Sequence, residues 1–78
     1  RYFIYTIFLY SEKSTGNIIN NTKIKTIGNQ NYGIYTAGTA SNNAEIDLTQ
    51  GAGNVGVYSM GQQNVSNFST IKVGESKV

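Results

Sequence analysis

From Ile7 onward, apolar and small residues fall on alternate positions in short runs separated by Gly, Asn, Ser and Thr, the period-two signature of half-buried strands. The runs also repeat. GIYTAG at 33–38 returns as GVYSMG at 56–61, 23 positions later. Gly28, Gly51 and Gly74 keep the same interval, as do Tyr32, Val55 and Val78, and Tyr35 and Tyr58. With a two-residue slip, Ile7 to Ser11 matches Tyr32 to Thr36, so the chain holds about three units of ~23 residues.

Alternation within a unit assigns the side chains that point inward. The first strand gives Ile7/Tyr32/Val55, Leu9/Ile34/Val57 and Ser11/Thr36/Ser59. Counting back from Ile24, Ile46 and Ile71 aligns Ile18/Ala40/Val65, Asn20/Asn42/Asn67 and Thr22/Ala44/Ser69, and Thr26, Leu48 and Val73 continue the same face. Length differences between units fall in the turn-forming segments 12–16, 37–38, 49–53 and 60–63, where insertions are tolerated. The outward positions agree with this register: Lys25, Asp47 and Lys72 become neighbours, and Lys23 sits beside Glu45, so charge alternates in sign between stacked strands.

The pattern predicts an all-β fold, a right-handed parallel β-helix (β-solenoid) of about three coils of ~23 residues. Val/Ile/Thr alternation and frequent Gly are poor material for a helical solenoid. Asn20, Asn42 and Asn67 are expected to form a structural ladder, because stacked carboxamides can hydrogen-bond to one another and buried polar groups need partners. Tyr10, Tyr35 and Tyr58 fall in one outward stripe, with Gly33 and Gly56 outward beside them. That stripe is a candidate surface contact for a sugar or a partner protein, although aromatic stacking that stiffens the coil explains it more simply.

Composition removes several chemistries. The chain has no Cys, His, Pro or Trp, four carboxylates and six cationic residues, so thiol, zinc and histidine acid–base chemistry have no residues to work with. The net charge of +2 comes from scattered Lys rather than a basic run, which argues against nucleic acid as a partner. No cofactor or metal is implied. The run RYFIYTIFLY is too short to cross a bilayer and carries neither an initiator Met nor a small-residue cleavage site; its β-branched and aromatic residues favour a strand, with no direct membrane insertion.

The motif Gly-x-x-Asn-x-Gly-[Ile/Val]-Tyr-[Thr/Ser]-x-Gly, at Gly28 to Gly38 and again at Gly51 to Gly61, resembles the passenger repeats of large fusobacterial-type autotransporter adhesins. Asn42, Asn43 and Ile46 before Gly56, Val57 and Tyr58 follow the same order of segments. The likeness covers residues 17–78 well and 1–16 weakly. It implies a β-helical stalk on the outer membrane and cell surface, a virulence-associated element of cell adhesion whose partners are neighbouring coils of the same passenger and a host or bacterial surface glycan or protein receptor. On this reading the chain is a non-enzymatic fragment, residues 1–78, of a single passenger domain, and the next residues should read Gly, Ile or Val, then Tyr.

A polysaccharide-degrading β-helix enzyme, a lyase or glycosidase, is the alternative. Glu45 and Asp47 are its only candidate carboxylate pair, and Lys23, Lys25 and Lys72 around them suggest a solvated charge ladder instead. An ice-binding solenoid would need more outward Thr and more uniform turns. The sequons at Asn20, Asn64 and Asn67 are what an Asn-, Ser- and Thr-rich chain yields by composition.

Overall fold

The computed structural model describes residues 6–74, and these contain strands and connecting turns but no helix. The strands are β1 Ile7–Ser11, β2 Asn17–Asn20, β3 Ile24–Ile27, β4 Tyr32–Thr36, β5 Thr39–Asn42, β6 Ile46–Gln50, β7 Val55–Ser59, β8 Val65–Asn67 and β9 Ile71–Val73. They form three parallel sheets, ordered β1-β4-β7, β2-β5-β8 and β3-β6-β9. The chain therefore visits the three sheets in turn and does so three times. The C-terminal half of RYFIYTIFLY supplies β1; residues 1–5, and the match of Val78 to Tyr32 and Val55, lie outside the described residues.

Register follows the repeat. Leu9, Ile34 and Val57 are partners, as are Ile18, Ala40 and Val65; Asn20, Asn42 and Asn67; and Ile24, Ile46 and Ile71. The turns pair across rounds as well: Gly28 N–H donates to the Gln50 carbonyl at 2.9 Å, Gln30 N–H to Ala52 at 3.1 Å, and Asn43 N–H to Asn20 at 2.8 Å. Backbone groups that leave the strands thus still find partners in the neighbouring round. Ile34, Ala40, Ile46 and Leu48 of the middle round form the core with Ile18, and Leu9, Ile24, Val57, Val65 and Ile71 pack against them half-buried. A fully buried Ile or Leu contributes roughly 1.5–3 kcal/mol, so the middle round carries most of the apolar stabilisation.

Two features of the alternation differ from the sequence reading. Gly33 and Gly56, expected outward, are buried: a Cβ on Gly33 would lie 2.6 Å from the Gly56 carbonyl oxygen and 3.1 Å from Ile46 Cγ2, and one on Gly56 would overlap Ile71 Cγ2. The strand places Gly33 and Ile34 side by side toward the interior, and only the missing side chain leaves room for Ile46. Tyr32, expected inward, packs its ring edge-on against Tyr35 and Tyr58 at centroid distances of 5.3 and 5.9 Å. The break in alternation at Gly33 puts Tyr32 and Tyr35 on one side of the same strand.

The third sheet is also less regular than the repeat. Ile24 and Lys25 pair with Ile46 and Asp47, but Ile27 pairs with Gln50, so β6 accommodates one extra residue as a bulge. The length difference assigned to 49–53 is therefore taken up partly inside the strand. Asp47 makes this possible, because its Oδ1 accepts both the Thr49 N–H at 3.1 Å and the Thr49 hydroxyl at 2.6 Å.

The corner after the third strand explains the Gly28/Gly51/Gly74 column. A Cβ on Gly51 would overlap the Gly28 carbonyl, and one on Gly74 would overlap that of Gly51. Two residues after Gly28, Gln30 adopts φ 60°, and Gly53 holds φ 71° at the matching position. A non-Gly residue there costs about 1–2 kcal/mol. Gln30→Gly is expected to raise the melting temperature modestly, its relief of strain partly offset by unfolded-state entropy. Gly51→Ala should lower stability by about 1–3 kcal/mol through overlap with backbone that has no freedom to move. Chemical denaturation of the two variants checks both signs.

Candidate functional site

The most ordered polar feature is the Asn column. Asn20, Asn42 and Asn67 end β2, β5 and β8, so parallel register brings their side chains together inside the turn that follows. Asn20 Nδ2 donates to Asn42 Oδ1 at 2.7 Å, and Asn42 Nδ2 donates to Asn67 Oδ1 at 2.8 Å. Asn20 and Asn42 are buried, at 5% and 1% exposure. The ladder has one direction. At its last rung Asn67 Nδ2 turns to the Ser69 carbonyl at 2.8 Å, and at its first Asn20 Oδ1 receives only the Thr22 N–H at 3.5 Å.

A second amide pair stands at the corner before β4 and β7. Asn54 Oδ1 accepts the Asn31 N–H at 2.7 Å, and its Nδ2 donates to the carbonyls of Gly28 at 3.0 Å and Leu48 at 2.9 Å. Asn31 Oδ1 accepts the Thr6 N–H at 3.2 Å. The sequence reading assigned these residues no structural role, although their signal is present: Asn31 and Asn54 are the Asn of the Gly-x-x-Asn-x-Gly motif, 23 residues apart.

Outside the first sheet, Tyr10, Tyr35 and Tyr58 stand in register as one stripe. Tyr35 and Tyr58 stack with centroids 4.8 Å apart and planes 11° from parallel, and Tyr10 lies 5.6 Å from Tyr35 at 33°. Tyr32 closes the group edge-on. Tyr35 therefore has neighbours on both sides, and the stacked faces it shares with Tyr58 are turned to each other rather than to solvent. Tyr10 and Tyr58 are exposed while Tyr35 between them is half-buried, and Tyr10 Oη donates to Glu12 at 3.2 Å.

Outside the third sheet lies the charge group. Lys72 Nζ is 2.7 Å from Glu45 and 3.9 Å from Asp47, and Lys23 Nζ is 3.7 Å from Glu45. Glu45 precedes β6 rather than belonging to it. Asp47, expected to be solvated, is only 7% exposed, because the bulge folds Thr49 over it. The hydrogen bond from Lys72 holds Glu45 below the usual carboxylate range, aided by the nearby Lys23 charge. The Thr49 hydroxyl and N–H do the same for Asp47, and Glu45 pushes Lys72 upward. Both carboxylates are thus held as anions by protein groups, which is the opposite of what a general acid requires. Among the described residues no cluster of three or more His, Cys, Asp or Glu side chains could hold a metal ion.

Of the sequon asparagines, Asn20 and Asn67 have their amide nitrogens engaged as above, whereas Asn64 lies exposed in the segment before β8. The chain matches no known family model, and no curated protein or solved structure is similar to it.

Two predictions follow from the polar groups. Asn42→Ala should cost about 1–3 kcal/mol in denaturant unfolding, since it strands the buried Asn20 amide, while Asn67→Ala should cost less because water reaches the last rung. Glu45 and Asp47 have lower pKa values folded than unfolded, so the unfolded chain binds more protons on acidification. Their stabilisation is present above the ordinary carboxylate range and lost as pH falls below it. Melting temperature measured from pH 7 to 2 should drop in that window, and the drop should be shallower for Asp47→Asn.

Proposed function

We propose that these residues are coils of a right-handed parallel β-helix that builds length in the stalk of a bacterial surface adhesin of the autotransporter type. The supporting observation is the connectivity: each sheet takes one strand from each round, and every strand pairs only with the rounds before and after it. Such an arrangement extends by adding rounds and needs no contact between distant ones. The inward columns of the second sheet, Ile18/Ala40/Val65 and Asn20/Asn42/Asn67, keep one residue type through three rounds, and the potential chemistry in the charge group is tied up in ion pairs and hydrogen bonds. Both favour a structural role over a catalytic one. The Tyr stripe belongs to the same logic, each ring pair contributing ~0.5–1 kcal/mol to holding successive rounds in register.

The test is display of the chain, in its parent passenger, on the surface of intact bacteria. Labelling of the exposed turn at 60–64 without permeabilisation is expected, and labelling only after lysis would overturn the surface placement. In the same display, Tyr35→Ser with Tyr58→Ser should lower the melting temperature and leave adhesion to cells intact. Lost adhesion at an unchanged melting temperature would make the stripe a receptor contact instead.

A further inference from the structure

A structural role for the coils leaves the three Asn-x-Ser/Thr sequons, at Asn20, Asn64 and Asn67, without a function. The fold separates them. Asn20 and Asn67 point inward as rungs of the ladder, and the Nδ2 atom to which a sugar would attach donates to Asn42 Oδ1 in the first and to the Ser69 carbonyl in the second. Their strands end at the Asn, so Thr22 and Ser69 lie in the turns beyond. Asn64 is the opposite case. Val65 pairs with Ala40 and packs against the core, so Asn64 and Ser66 on either side of it both face out, two residues apart on one extended segment. The acceptor amide and the hydroxyl of this sequon therefore stand on the same side of the chain, where one enzyme can meet both. We infer that Asn64 is an N-glycosylation acceptor that takes a sugar from a glycosyl diphosphate donor while the coil is folded.

The surroundings of Asn64 leave its carboxamide available. Its backbone is held, because the carbonyl accepts the Ala40 N–H at 3.3 Å, yet among the described residues neither its side chain nor the Ser66 hydroxyl has a hydrogen-bond partner. The turn it closes is long: residues 60–64 join β7 to β8, where residues 37–38 suffice between β4 and β5, and all of 60–64 are exposed. The added length leaves the wall sideways, at the corner between the first and second sheets. This exposure does not come from standing in the last described round. Thr39 and Ser41 hold the same outward positions in the middle round and keep part of their surface open with a round on either side. A further round would stack on the backbone edge of β8 and leave its outward face in water.

In the transfer, the anomeric carbon of the sugar bonds to Asn64 Nδ2 as its bond to the diphosphate oxygen breaks. The diphosphate leaves with that electron pair, the amide nitrogen gives one proton to a base of the transferase, and nothing is oxidised or reduced. A nucleotide-linked and a polyprenyl-linked donor share this reacting bond. The inference rests on the register of β8 and not on the stalk reading, so either can fail alone.

The test is peptide mass mapping of the parent passenger purified from its own cells. Sugar on the peptide that contains Asn64, with Asn20 and Asn67 bare, is expected; a single hexose identifies the nucleotide-linked donor, and an assembled oligosaccharide the polyprenyl-linked one. Asn64 without sugar overturns the inference. The part played by the fold is read on passenger made in a host without N-glycosylation, then treated with a soluble sequon-specific N-glycosyltransferase and UDP-glucose. Asn64 should react at least about tenfold faster than Asn20 or Asn67, whose amides must first leave their hydrogen bonds. In short peptides spanning each sequon the three rates should converge. Equal rates in the folded passenger overturn the inference. Asn64→Gln and Ser66→Ala should each abolish the modification and leave the circular dichroism of the passenger unchanged, and sugar that persists on residues 64–66 in Asn64→Gln counts against it.

Discussion

Parallel in-register pairing between rounds is the constraint on which everything else in this fold depends. A residue at one position stands beside its counterpart in the neighbouring round at the interstrand spacing of about 4.8 Å, and its side chain must suit that counterpart before it suits anything else. Aliphatic residues satisfy the condition by van der Waals contact. Charged residues satisfy it only if the sign alternates, as along Lys25, Asp47 and Lys72. At the corners, where a Cβ would point at the carbonyl of the adjacent round, glycine alone satisfies it.

Asparagine answers a harder version of the same demand. A polar side chain inside such a stack needs a donor on one side and an acceptor on the other, and the carboxamide carries both on one planar group. An Asp in that column would place acceptor against acceptor, and a Ser would be too short to reach across. Asn therefore serves twice, in the Asn20/Asn42/Asn67 ladder and at the Asn31/Asn54 corner, where it ties side chain to backbone instead of side chain to side chain. Asp47 is acceptable because it lies at a bulge that offers it two donors from one residue.

Much of this was legible from sequence because the constraint is written in residue types. The registers of Leu9, Ile18, Asn20 and Ile24 with their counterparts could be read directly, since a slip of one would have put Ile24 against Glu45 or Asp47 and Lys25 against Ile46 or Leu48. The Tyr stripe and the Lys23–Glu45 proximity came from the same alignment. What could not be read was local: strict alternation was carried through Gly33, where the strand in fact sets two successive positions inward and moves Tyr32 to the outer face. A residue without a side chain leaves no periodic signal of its orientation. The burial of Asp47 was equally hidden, because it depends on where the strand absorbs one extra residue rather than on which residues are present.

Because the pairing runs between rounds, a pull applied along the stacking axis loads the outermost round alone. Its ladder bonds then yield in succession, as a zipper does, rather than together in shear. Each round that peels away frees about 23 residues, or roughly 80 Å of extended chain at about 3.5 Å per residue. A short stack thus converts into a tether many times its own height before its last round opens. The glycine corners, which let adjacent rounds nest backbone to backbone, set how small the step between two such releases can be.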